Sequence, residues 1–159
     1  MIKKKYKVVL ESEEIMQEND TLKLLRECDA GVKMGVSSIE DVLGSVTSDR
    51  LEKILTDCKE EHEKLDRELQ EILDKFNDDG KEPAAIAKGM SWMKTNMKLA
   101  MNETDATIAD LMTDGCNMGV KSLNKYLNKY EAADEVSKDI TKRLINLEEK
   151  LAVDIRCYL

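Results

Sequence analysis

The chain has 159 residues and a net charge of −8, with 33 acidic against 25 basic side chains. That balance disfavours nucleic acid and anionic membranes as partners, since both call for a basic face. Charged residues make up 36 % of the chain, aromatics only 4 %, and there is one proline, which is the composition of long helices in one domain with its own core.

Residues 1–18 read as a charged leader, extended or loosely helical, in which lysines give way at once to Glu11, Glu13 and Glu14. The apolar run between them is too short for a signal peptide, and no stretch approaches membrane-spanning length. Asn19-Asp20-Thr21 offers cap chemistry. After it Leu25, Cys28, Val32, Val36, Ile39, Leu43 and Val46 recur at helical spacing, and Gly44 ends the run. A second helix carries the cleanest stripe: Leu51, Leu55, Cys58, His62, Leu65, Leu69, Ile72 and Phe76. Residues 77–83 form a turn that closes on Pro83, suited to a helix start. A shorter helix over 84–101 is rich in Met and holds the single Trp. Asn102 to Asp105 cap a third long helix bearing Ile108, Leu111, Met112, Gly115, Gly119, Ser122 and Tyr126. The chain turns near 130–134, and a last helix follows with Val136, Ile140, Leu144, Leu147, Leu151, Ile155 and Tyr158. No strand is expected.

A phrase repeats. Residues 31–39 (GVKMGVSSI) and 115–123 (GCNMGVKSL) agree in type at six of nine positions. Such a repeat means two copies of one structural unit. Each copy sits midway along a helix that another helix follows, so residues 19–159 read as two helical hairpins related by a pseudo-two-fold. A long crossover with its own short helix joins them into an all-α four-helix bundle. Each copy also holds Gly-x-x-x-Gly: Gly31 and Gly35, Gly115 and Gly119. A glycine inside a helix is unfavourable by about 1 kcal/mol relative to Ala, so something must offset about 4 kcal/mol. Close packing of the two notches across the pseudo-two-fold is the simplest offset. Room for a ligand or another subunit is the alternative.

The hairpin order, the Asp29-Ala-Gly-Val-Lys-Met34 stretch, the crossover segment 88–94 with Asp105, and the Gly115…Lys121-Ser-Leu stretch together resemble a bacterial branch of the ferritin-like superfamily, distant from rubrerythrins and bacterioferritins. That resemblance implies a ferritin-like bundle. Active members hold two metals through one carboxylate from each of helices 1 and 3 and a Glu-x-x-His pair from each of helices 2 and 4. Carried over residue by residue, the His slot of helix 2 falls on His62, the only histidine, with Lys59 where Glu is required. The other slots fall on Val32, Cys116, and near Leu147 and Lys150. Five of six ligand positions are lost, so the resemblance implies a degenerate di-iron site.

No catalytic residue is assigned, because there is no phosphate loop, nucleophile motif or Glu-x-x-His pair. No cofactor is expected. A soft metal ion is the alternative, held by His62 with Cys58, Cys116 and Cys28. The simpler expectation is a buried neutral histidine among thiols that pack as small hydrophobes. Met90, Trp92, Met93 and Met97 are candidates for a partner surface, weighed against packing on the bundle. The expected function is binding or self-assembly without catalysis, through a protein partner or a homo-oligomer, in the cytoplasm. Metal-dependent redox chemistry is the alternative, and a spore- or stress-associated structural role a weaker one.

Overall fold

A computed structural model describes residues 2–83 and 92–159, the side chains of 2–5 excepted. Five α-helices and no strand occur among the described residues: α1 (Ile2–Leu43), α2 (Asp49–Lys75), α3 (Trp92–Leu99), α4 (Asp105–Lys129) and α5 (Glu135–Ile155), with a 3₁₀ turn over Arg156–Tyr158.

Local chemistry sets most of the helix ends. Ser48, Thr104 and Asp134 cap α2, α4 and α5, each accepting a bond from the backbone N–H three residues on. At the end of α2, Asn77 takes a left-handed conformation (φ 51°), and Asp78 N–H returns to the Leu73 carbonyl at 3.0 Å. The next turn needs Gly80. Its φ is +75°, and a Cβ there would stand 2.2 Å from Asp29 Oδ2. Asp29 is fully buried and is satisfied by Lys33 Nζ (2.9 Å), Gln70 Nε2 (2.7 Å) and Lys81 N–H (2.7 Å). One buried carboxylate thus ties α1, α2 and the following loop together.

Polar clasps fix the directions of the helices. At one end Asp105, at the start of α4, accepts from Thr47 N–H (2.8 Å), Thr47 Oγ1 (2.8 Å) and Ser48 N–H (2.9 Å) in the α1–α2 turn. Ser48 also meets Tyr158, just beyond α5, at 3.0 Å. At the other end Asp20 and Thr21 of α1 accept from Ala132 and Asp134 N–H in the α4–α5 turn. So α1 and α5 run one way, and α2 and α4 run the other.

No helix starts at residues 19–21, where cap chemistry was expected. α1 continues without a break from Ile2, because no Gly or Pro interrupts it before Gly31 and because Asp20 and Thr21 spend their oxygens on the α4–α5 turn instead of capping. Residues 6–19 are exposed along their whole length, so the start of α1 projects past the bundle. Of the helix expected over 84–101, residues 92–101 lie among the described residues; Trp92–Leu99 is helical and the last two residues are not.

The interior forms two main apolar clusters. One gathers Ile39, Val42, Leu51, Leu55, Cys58, Met112, Cys116, Leu151 and Ile155 with Met93 and Met97 of α3. The other gathers Leu25, Cys28, Val32, Leu65, Leu69, Leu73, Leu123, Ile140 and Leu144.

Candidate functional site

Between the two clusters every long helix contributes one residue that is not aliphatic. On α1 it is Gly35, between Val32 and Ile39. On α2 it is His62, between Cys58 and Leu65. On α4 it is Gly119, between Cys116 and Leu123. On α5 it is Glu148, between Leu144 and Leu151. This mid-bundle layer is the chemical centre of the molecule.

His62 points inward because it shares the stripe of Leu55, Cys58, Leu65 and Leu69, and it is 1 % exposed. Its Nδ1 lies 2.9 Å from the Cys58 carbonyl oxygen and its Nε2 lies 3.0 Å from Glu148 Oε1. A carbonyl can only accept, and so can a carboxylate. Both ring nitrogens are therefore called on to donate, which is the imidazolium form. Burial opposes that charge, but Cys58 and Glu148 outweigh it and push the pKa of His62 up to about 10. The sequence pattern pointed to a neutral ring; the acceptor on α5 reverses that. Gly35 makes space for the ring, since a Cβ there would lie 2.5 Å from Nε2.

Glu148 was missed in the sequence, where Leu147 was placed on the stripe. The signal was present: Glu148 lies four residues after Leu144 and three before Leu151, on the same face. Its carboxylate also faces Cys116. Burial, with that carboxylate beside it, holds the Cys116 thiol protonated.

Cys58 thus stands beside His62 (Sγ to Nδ1, 3.6 Å) and Cys116 faces Glu148, while Cys28 lies elsewhere. Cys28 lies in the second cluster, 3.0 Å from Thr141 Oγ1. That hydroxyl donates to the Ser137 carbonyl (2.8 Å), so the thiol is the donor to Thr141. Burial raises its pKa to about 11.

Over this layer opens a cleft of about 260 Å³ between α1 and α4. All four helix glycines line it. They do not pack against one another as expected. Where a Cβ would stand, the nearest atoms are side chains: Leu144 at Gly31, His62 at Gly35, Trp92 at Gly115 and Glu148 at Gly119. Gly115 is the most open, with only Trp92 at 4.0 Å. Met34, Ser38, Met118 and Ser122 complete the two walls, while Leu144, Glu148 and His62 form the floor. Trp92 and Met93 stand toward one end, Glu27 and Tyr126 toward the other. Lys81 pairs with Glu27 there at 2.7 Å.

The methionines proposed as a partner surface are placed differently. Met93 and Met97 are buried in the first cluster, because α3 turns its apolar side onto the bundle, and Trp92 is half-buried on the cleft wall. Met90 lies outside the described residues.

The residues of the layer do not fit the di-metal centre of the resembled family. Two helices supply glycine, and the one carboxylate is bonded to the one imidazole. His62 would have to surrender one of its two ring protons, each donated to its own acceptor, before it could bind an ion. Among the described residues no three His, Cys, Asp or Glu side chains gather as a ligand set. Compared with protein families, with curated proteins and with solved structures, the chain matches none.

Proposed function

We propose that this chain is a ferritin-like four-helix bundle that binds a molecule instead of transforming one, and that the cleft between α1 and α4 is where it binds. The ligand class is a small, mainly apolar molecule carrying one hydrogen-bond donor. The observation that carries this reading is a mid-bundle space walled by helix glycines that no close helix contact requires. Gly115 and Gly119 could each bear a methyl group at ordinary contact distance or beyond, so packing alone leaves them unexplained. The volume falls just below the usual range for such sites, so it suits a compact ligand. The lining is chiefly Met, Leu, Trp and glycine. At the floor, Glu148 accepts from His62 and faces the Cys116 thiol, and the remaining lone pairs of its carboxylate can accept from a ligand donor.

Three of the groups that could do chemistry, His62, Cys28 and Cys116, are held in unreactive states. Both nitrogens of His62 are occupied. The thiols of Cys28 and Cys116 are pushed away from the nucleophilic thiolate. The resemblance of the hairpin order to ferritin-like bundles supports the same reading, with an ion pair at the centre in place of metal ligands. Four cysteines without a disulfide suit a reduced, cytoplasmic setting.

Trp92, the single tryptophan, lines the cleft and reports on it. Medium-chain amines and alcohols should shift its fluorescence and saturate, more tightly than a carboxylic acid of the same length, which Glu148 repels. Gly115→Leu should fill the cleft and abolish the shift in a folded protein. No response to any of these probes, or stoichiometric zinc, copper or iron in protein purified without chelator, would overturn the proposal.

A further inference from the structure

The start of α1 carries a concentration of exposed apolar residues that the cleft does not explain: Tyr6 (68 % exposed), Val8, Val9, Leu10, Ile15 (68 %) and Met16. Residues 2–18 make a helical stretch of about 25 Å that stands clear of the bundle. An isolated helix of that length is marginal in water, and here β-branched Val8, Val9 and Ile15 weaken it further. Tyr6, Val9, Leu10 and Met16 fall on one side at helical spacing, with Glu13 among them.

The charges along this stretch are ordered. Lys3, Lys4, Lys5 and Lys7 occupy its first part, and Glu11, Glu13, Glu14 and Glu18 its second. A parallel partner of the same sequence would set lysine beside lysine and glutamate beside glutamate. An antiparallel partner sets each basic turn beside an acidic one, with Glu13 of one copy alongside the lysine-bearing turns of the other. We propose that the projecting start of α1 pairs with the same segment of a second copy, antiparallel, about a two-fold axis at Val9. Val9 then meets Val9 across the axis, and Met16 lies near residue 2. Polar and charged positions along the seam fix direction and register, as buried polar groups do in coiled coils. The two bundles then sit at opposite ends of the pair.

The test uses the full chain. Light scattering at about 100 μM, where a micromolar Kd is saturated, should give twice the 18.1 kDa of one chain. Converting Lys3, Lys4, Lys5 and Lys7 to Glu should return the mass to one chain, with the helix content of the bundle kept. In a Cys157→Ser background, which removes the exposed native thiol, Val9→Cys should form a disulfide-linked dimer on mild oxidation, and Met16→Cys should not. A wild-type chain that stays monomeric overturns the proposal, whatever other molecule the segment binds. Cross-linking of Met16→Cys as fast as Val9→Cys means a parallel pair and overturns it equally.

Discussion

Gly35 and Gly115 lie on the two helices that wall the cleft, yet their surroundings predict opposite outcomes for the same substitution. Gly35→Ala drives a methyl group to 2.5 Å from an imidazole that two hydrogen bonds pin in place. The gain in helix propensity offsets only part of that strain, and a net loss of about 1–2 kcal/mol is expected. Gly115→Ala meets only Trp92 at 4.0 Å and should stabilise by about 1 kcal/mol. Urea denaturation of the two variants checks both signs. His62 predicts a pH dependence. Its folded pKa, near 10, lies above the unfolded value of 6.5, so the folded state holds a proton that the unfolded state releases. The stabilisation is complete below pH 6.5 and is lost as pH rises toward the folded value. Stability should therefore fall by up to about 1.4 kcal/mol per pH unit between about pH 6.5 and 8, below the range in which the thiols titrate. His62→Gln should flatten that slope. The inward direction of His62 was legible from its stripe. Its charge was not, because the acceptor that sets it lies 86 positions along the chain.

At the scale of elements, helix periodicity read well wherever burial and spacing agree. The stripe of α2 carries its buried Leu51, Leu55, Cys58, His62, Leu65 and Leu69, and only its last turn shifts, to Leu73. The Met-rich α3 shows the limit. Its side chains favour packing on the bundle but also suit a partner surface, and the position of α3 against α1 and α4 puts Met93 and Met97 inside. Capping signals divide in the same way. Thr104 and Ser48 act locally as expected, whereas the similar cluster at residues 19–21 is recruited by a distant turn and the helix runs on. Asp105 joins two elements and predicts a measurable contribution. Asp105→Ala removes three acceptor bonds from the α1–α2 turn. Solvent screens that end of the bundle, so a loss of about 1 kcal/mol is expected. The Thr47 and Ser48 N–H bonds also hold the Asp105 carboxyl below its usual pKa. Their stabilising share is present above the unfolded value and is lost as pH falls through the folded one. Acid titration of the variant should lack that component.

For the whole molecule, burial sorts the four cysteines. Cys28, Cys58 and Cys116 are inside and Cys157 is exposed, so one thiol of four should react rapidly with a disulfide reagent in native buffer and all four in denaturant. No helix among the described residues is long and apolar enough to cross a membrane. The sequence by itself determined the all-helical class, the order of the long helices and the presence of paired glycine notches, because these depend on residues close together in the chain, through spacing, propensity and turn chemistry. Tertiary structure alone decided that the notches open on a cleft, that Glu148 meets His62, and that the first helix runs out past the bundle. Each of those rests on partners far apart in sequence, and a side chain's charge state and the space beside a glycine are fixed by what the fold brings to them.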